Sequence, residues 1–315
     1  MKKIIFILFI ATLLKNNLLG QGGFNKNYVL SGSYVSVCKD VIEAPNGNII
    51  MLGLTTGTTG YNRLTVVGAD TQGSELWRKD YGTDKFEYLD DYGIYSKCIT
   101  VGSNCFYYYI PVRDSNNKYF SVLIKFNYNG DTLWQKKYYG SSTEYFYIYD
   151  VIISIDNGFL MTGEVQDITG TGDKTLILKT DSTGNELWRK KLSKPDPPNA
   201  QAGESIIQDS VTKKIVIAGY QYNGTASAYN IYANIIITDS LGVELQRKSY
   251  TSFCAGSAFC DLIQTKDKNL VAVGFKDQCS GLGGPGGSNR NKGYAVKVDF
   301  NNINNVLWSK EVDVL

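Results

Sequence analysis

Residues 181–190 read Asp-Ser-Thr-Gly-Asn-Glu-Leu-Trp-Arg-Lys, and close variants of this stretch return along the chain. Residues 70–79 read Asp-Thr-Gln-Gly-Ser-Glu-Leu-Trp-Arg-Lys, and residues 127–136 read Asn-Tyr-Asn-Gly-Asp-Thr-Leu-Trp-Gln-Lys. Residues 239–248 keep Gly242, Glu244 and Leu245 but carry Gln246 where the others have tryptophan, and a looser copy ends in Val306, Leu307, Trp308, Ser309 and Lys310. The anchors at 77, 134, 188, 246 and 308 stand 57, 54, 58 and 62 residues apart by subtraction. A period of that size belongs to repeat architectures, whose single units cannot bury their apolar face alone.

Each unit contains four strand signals in a fixed order. In the third, residues 150–155 are a β run, Asp156, Asn157 and Gly158 a hairpin turn whose glycine accepts positive φ, and residues 159–163 a second strand. Residues 175–179 form a mostly apolar third strand, and residues 186–190 alternate as an outer, half-wet strand does. The other units align with it. Asp40-Val41-Ile42 and Asp261-Leu262-Ile263 match Asp150-Val151-Ile152; Gly53, Gly219 and Gly274 match Gly163, where the second unit has Tyr109. Four sequence-adjacent strands make an antiparallel meander, and radially packed meanders make a β-propeller. The expected fold is all-β: about five four-stranded antiparallel blades, or an incomplete larger ring, over residues 24–315. The units run at about 34–83, 84–141, 142–193, 194–251 and 252–315. Residues 24–28 resemble the start of a further fourth strand, which gives six outer strands to five inner sets. This extra strand, within residues 24–30, is expected at an outer edge of a five-bladed arc; the other reading places closing strands beyond Leu315.

A short basic start, an apolar run over residues 4–14 and small or polar residues near Gly20 predict a cleaved signal peptide over residues 1–20. The apolar run is shorter than the about 20 residues a membrane helix needs, so no integral membrane span is expected and the mature chain is read as exported. A net charge of +2 argues against nucleic acid as a partner. The chain has no histidine, which removes Ser-His-Asp and Cys-His catalysis and nearly every catalytic zinc site; no cofactor and no metal are expected. Six cysteines at 38, 98, 105, 254, 260 and 279 permit disulfides in an exported chain, and a bond from Cys279 to Cys254 or Cys260 would pin the long loop over residues 276–293. Cys98 and Cys105 align with the core positions of Ile152 and Phe159.

The Asp-x-x-Gly-x-Glu-Leu-Trp copies resemble the tryptophan-docking motif of quinoprotein-type propellers, and the whole unit resembles the propeller repeats of exported Bacteroidetes proteins. The resemblance implies a structural motif: Trp77, Trp134, Trp188 and Trp308 as packing residues between blades, and Gln246 as a weakened joint. Nothing matches the quinone or calcium ligands of that family, so its redox activity is not implied.

In such a meander, length varies in the loops between second and third strands and between blades, which share one face. Insertions gathered on one face mark the binding face of a repeat protein. The blade-connecting loops there carry Phe86, Tyr88, Asp90, Asp91, Tyr145, Phe146 and Tyr147, rings and carboxylates suited to stacking on sugars and recognising hydroxyls. Alternating tyrosines also simply dress half-buried strands. Asp90 with Asp91, and Asp167 with Asp173, are candidate carboxylate pairs. The expected function is a non-catalytic binding or scaffold propeller with a glycan or protein at the loop face; the alternative is a glycan-cleaving hydrolase working through two carboxylates.

Overall fold

The computed structural model describes residues 28, 35–56, 62–81, 86–88, 97–101, 104–169, 172–193, 200–223, 230–250, 256–277 and 291–313. The expected signal peptide and the cysteines at 254 and 279 lie outside the described residues. Five antiparallel sheets follow one another in chain order. Blade 1 is β1 (Val35–Glu43), β2 (Ile49–Thr56), β3 (Asn62–Ala69) and β4 (Glu75–Tyr81). Blade 2 is β5 (Phe86–Tyr88), β6 (Lys97–Val101), β7 (Cys105–Asp114), β8 (Tyr119–Asn127) and β9 (Thr132–Tyr139). Blade 3 is β10 (Glu144–Ile153), β11 (Phe159–Asp167), β12 (Lys174–Thr180) and β13 (Glu186–Leu192). Blade 4 is β14 (Gln201–Gln208), β15 (Ile215–Asn223), β16 (Asn230–Thr238) and β17 (Glu244–Tyr250), and blade 5 is β18 (Ser257–Gln264), β19 (Leu270–Asp277), β20 (Asn291–Val298) and β21 (Val306–Asp313). First strands pack on first strands, β1 on β6, β6 on β10, β10 on β14 and β14 on β18, so they line the axis of a β-propeller.

The recurring turn sequence is explained by its hydrogen bonds. Oδ1 of Asp70, Asn127, Asp181 and Asp239 accepts the backbone amides two and four residues ahead, at 2.7 to 3.0 Å. The chain can then reverse only through a left-handed residue, and Gly73, Gly130, Gly184 and Gly242 supply it with φ between +75° and +79°. The glutamate that follows pairs with arginine three residues on, as in Glu186–Arg189 and Glu244–Arg247. In the first turn of blade 3 the positive φ falls on Asn157 (63°), not on Gly158 as expected; a Cβ at Gly158 would collide with the carbonyl oxygen of Thr180.

Gly53, Gly163, Gly219 and Gly274 answer a different need. The innermost strand bulges between Cys38 and Asp40, Ile148 and Asp150, Gly203 and Ser205, and Phe259 and Asp261. Each glycine faces a bulge, where a Cβ would strike the carbonyl oxygen of Val37, Tyr147, Ala202 or Ala258. In blade 2 the register shifts the expected alignment by one. Trp134 opposes Lys125 and Lys125 opposes Tyr107, as Trp188 opposes Lys179 and Lys179 opposes Leu160, so Ile110 stands in the place of Gly163. Ile110 falls between the two described inner-strand pieces: β5 pairs to Val112 and β6 begins opposite Tyr109. Cys98 accordingly faces Tyr108 and Cys105 faces Val101, so the two cysteines are not register partners.

Four apolar clusters fill the seams. Leu52, Leu64 and Val66 meet Phe106, Ile110 and Val122 between blades 1 and 2. Tyr107 and Leu123 meet Val151, Met161 and Leu176 between blades 2 and 3; Leu160 and Ile177 meet Ile206, Ile217 and Ile236 between 3 and 4; Val216 and Ile235 meet Leu262, Leu270 and Val296 between 4 and 5. No such cluster joins blade 5 to blade 1 among the described residues. Val41 is 56% exposed where its equivalents Val151, Ile206 and Leu262 are buried, and Ile263 on the far side of blade 5 is 55% exposed. Among the described residues the five blades form an open arc.

Candidate functional site

Glu164 follows Gly163 on β11, opposite Tyr147 of β10 and Thr175 of β12. The same register position holds Leu54, Pro111, Tyr220 and Phe275 in the other blades. A carboxylic acid therefore occupies an apolar position, 9% exposed, toward the loop face of blade 3. Tyr149, the bulged residue of β10, donates its hydroxyl to Glu164 Oε2 at 2.8 Å. Burial raises the Glu164 carboxyl well above the ordinary value of 4.5, the nearby Asp173 charge raises it further, and only the Tyr149 hydrogen bond opposes them. Asp173 lies close by, and burial beside that second acid favours the protonated form of the Glu164 carboxyl.

Other groups converge on the same place. Glu204, the bulged residue of β14, is felt by Tyr109 of blade 2, Glu164 of blade 3 and Cys260 of blade 5, which puts its charge near the axis. Tyr222 at the end of β15 is held above its ordinary value by burial, then by the charges of Glu164 and Asp173. The aspartates after the bulges tie blades together. Asp150 accepts the amide of Val151 through Oδ1 and that of Ile206 in blade 4 through Oδ2, both at 2.9 Å, and Ser205 donates to Asp261 Oδ1 at 3.2 Å. Among the described residues no group of three or more acids and cysteines has a geometry that would hold a metal ion.

Of the residues singled out from sequence, Tyr145 and Tyr147 are half-buried on β10 beside this cluster. Their rings lie 4.5 and 5.6 Å from that of Tyr119, and Tyr147 stacks 6.3 Å from Tyr149. Phe146, between them, is fully buried in the core between blades 2 and 3, with the Arg189 guanidinium 4.9 Å from its ring centre. Phe86 and Tyr88 form β5, opposite Asp114 and Val112, and Asp90 and Asp91 lie outside the described residues. Asp167 accepts the Thr169 amide and hydroxyl at 2.8 and 2.6 Å and donates its own amide to Asp173 Oδ1 at 3.3 Å, while the charge of Asp173 bears on Glu164. Glu164, Tyr149 and Glu204 were not foreseen; the signal available was one acid at a position that is Leu, Pro, Tyr or Phe in the other units. Cys260 carries a free thiol, and the alternative bond between Cys254 and Cys279 falls outside the described residues.

No protein-family model matches the chain, and no curated protein matches it. Among solved structures it is similar to a family-25 polysaccharide lyase, an ulvan lyase, at 10% identity and a TM-score of 0.48, over 75% of this chain and 61% of that one. It is also similar to the β-propeller domain of the Trilobed protease from Pyrococcus furiosus (10% identity, TM-score 0.42, 90% and 72% covered) and to a thermostable family-43 glycoside hydrolase (12%, 0.43, 92% and 98%). The chain spans 61% of the length of the lyase. The chain is a β-propeller repeat protein by its own strand order, and no activity passes to it from these proteins. Among the described residues no helix is long and apolar enough to cross a membrane.

Proposed function

We propose that this propeller is an exported binding protein that takes a glycan at the axial end of its loop face, between blades 3 and 4. The observation that carries the reading is the buried Glu164 carboxyl, which accepts the Tyr149 hydroxyl at 2.8 Å beside Asp173 and the tyrosines of β10. A neutral carboxyl can both donate to and accept from a sugar hydroxyl, and half-buried Tyr147 and Tyr145 offer flat faces to sugar rings. Phe86 and Tyr88 of β5, with Asp90 and Asp91 beyond it in sequence, remain candidate contacts of the same glycan. Export fits the basic and apolar start of the chain and its resemblance to Bacteroidetes-type repeat proteins.

A second reading makes the protein a glycan-cleaving hydrolase, and the raised Glu164 favours it, since a carboxyl protonated near neutrality suits a general acid. Spacing disfavours it. Cleavage by two carboxylates needs them about 5 to 10 Å apart, and Glu164 and Asp173 are within hydrogen-bonding reach. The test is a glycan panel assayed both for retention on the immobilised mature protein and for release of reducing ends. Retention that is weakened by Tyr147→Ala, without release, is expected. Release that disappears in Glu164→Gln would replace this reading with the hydrolase, and no retention at all would remove it.

A further inference from the structure

Blade 4 differs from the others on the face it turns to blade 3. Gln201 opposes Gln221 across β14 and β15, and Asn234 opposes Gly219 across β15 and β16. Blade 3 holds Phe146, Val165 and Leu176 at those register positions, all buried in an apolar seam. The fold therefore makes no demand for amides there. Across the seam Thr175 pairs with Glu164, and its methyl lies 3.2 Å from where a Cβ of Gly203 would stand. Gly203 in turn pairs with Gly219, so one row links Thr175 to Asn234 and the next row carries the two glutamines.

Six polar atoms of these four residues are buried without a hydrogen-bond partner: Thr175 Oγ1, Gln201 Nε2, both amide atoms of Gln221 and both of Asn234. Their residues are 0 to 1% exposed. Leaving so many buried groups unmade is a heavy loss for any domain, and four residues of one seam carry it together. The atoms are a mixture of donors and acceptors. Gln201 Oε1 already accepts from Arg247 Nη1 at 2.6 Å, which leaves its amide nitrogen as a donor. Fixed donors alone would suit an anion and oxygens alone a cation; a mixed set suits a group that gives and takes hydrogen bonds at once, which is a hydroxyl. Glu164, the register partner of Thr175, and Asp173 two residues before Thr175 disfavour a negatively charged ligand.

We infer that the seam between blades 3 and 4 is a subsite for an uncharged, hydroxyl-rich sugar residue, bound by Thr175, Gln201, Gln221 and Asn234. This deepens the glycan-binding reading and rests on it. The subsite takes the terminal unit of a neutral glycan and excludes uronate or sulfated units.

The test borrows the chain's own blade 3, substituting Gln221→Val and Asn234→Leu singly in the mature protein. Neutral gluco-, manno-, galacto- and xylo-oligosaccharides are titrated beside uronate-containing and sulfated oligosaccharides, and thermal unfolding is followed without ligand. The expected result is binding of neutral members by the wild type, a loss of about tenfold or more in affinity in each variant, and unfolding temperatures equal to or above wild type. Unchanged affinity in both stable variants overturns the inference and leaves buried water as the occupant of the seam, while the glycan-binding reading survives. Preference for acidic oligosaccharides overturns it as well. A wild type that binds no member of the panel overturns both readings.

Discussion

Tyr138 donates its hydroxyl to the carbonyl oxygen of Gly184 at 2.9 Å, joining the outer strand of blade 2 to the turn of blade 3. Tyr81 does the same to Gly130, and Tyr250 reaches Ile303 at 3.5 Å. Tyr28 makes this contact with Gly73 at 2.9 Å, so it stands before blade 1 as an outer-strand tyrosine stands before the following blade. Residues 24–27 of the expected extra strand lie outside the described residues. Blade 3 has Leu192 in the tyrosine's place, opposite Thr175 as Tyr138 is opposite Ser121. Tyr138→Phe should cost about 1 kcal/mol in urea unfolding, because a partly buried carbonyl loses its donor. Tyr28→Phe should behave alike, and no loss in either would show that the contact does not stabilise the joint.

Trp188 lies against the next blade's turn, where a Cβ at Gly242 would stand 2.9 Å from its ring. Trp308 has no following blade in the arc and is 38% exposed. Trp188→Ala should lose about 2 to 3 kcal/mol and Trp308→Ala less than about 1 kcal/mol, by chemical denaturation of each. Equal losses would mean that a surface outside the described arc covers Trp308.

Gly163→Ala should destabilise by about 2 kcal/mol or more, since its methyl collides with the Tyr147 carbonyl at the bulge. Proteolysis or urea melts measure this. A neutral result would mean that the bulge yields without strain.

Stability should fall in acid. Burial alone would raise Asp156 and Asp209, but hydrogen bonds from Lys179 and Ser154 to the first, and from the Thr212 amide and hydroxyl to the second, hold both at about 2. Asp181 is also held at about 2, by the Asn185 amide and side chain. Their folded values lie below the unfolded 3.8, so their contribution is complete above that pH and disappears as pH drops through 2. Glu164 has the opposite sign. Its folded value lies above 4.5, so it weakens the fold as pH rises past 4.5. Glu164→Gln should gain about 1 to 3 kcal/mol near neutrality and nothing below pH 4. A gain independent of pH would contradict the raised Glu164 carboxyl.

The blades were legible because their signals are local. A turn aspartate, a left-handed glycine and an alternating strand fall within ten residues, and the same set returns at each anchor. The reason for Gly163 was not legible, since it lies in a bulge on another strand, and the one-residue offset of blade 2 shows only in the pairing of β7 with β8 and of β8 with β9. Gln246 read as a weakened joint; it bonds instead to Asn301 O at 3.0 Å and to the Ile303 amide at 3.1 Å, and buried Ile303 replaces the turn glycine of the next blade. The site was least legible. Asp173 follows Glu164 by nine residues and Glu204 by forty. The hairpin of β11 and β12 brings Asp173 to Glu164, and Glu204 joins them only once blade 4 packs on blade 3.

The most direct test is the pH dependence of affinity for the neutral oligosaccharide that the wild type binds best, titrated by calorimetry from pH 5 to 9 beside Glu164→Gln. Binding by a protonated Glu164 predicts affinity that falls with rising pH in the wild type and stays level in the variant. A level wild-type profile would contradict the account.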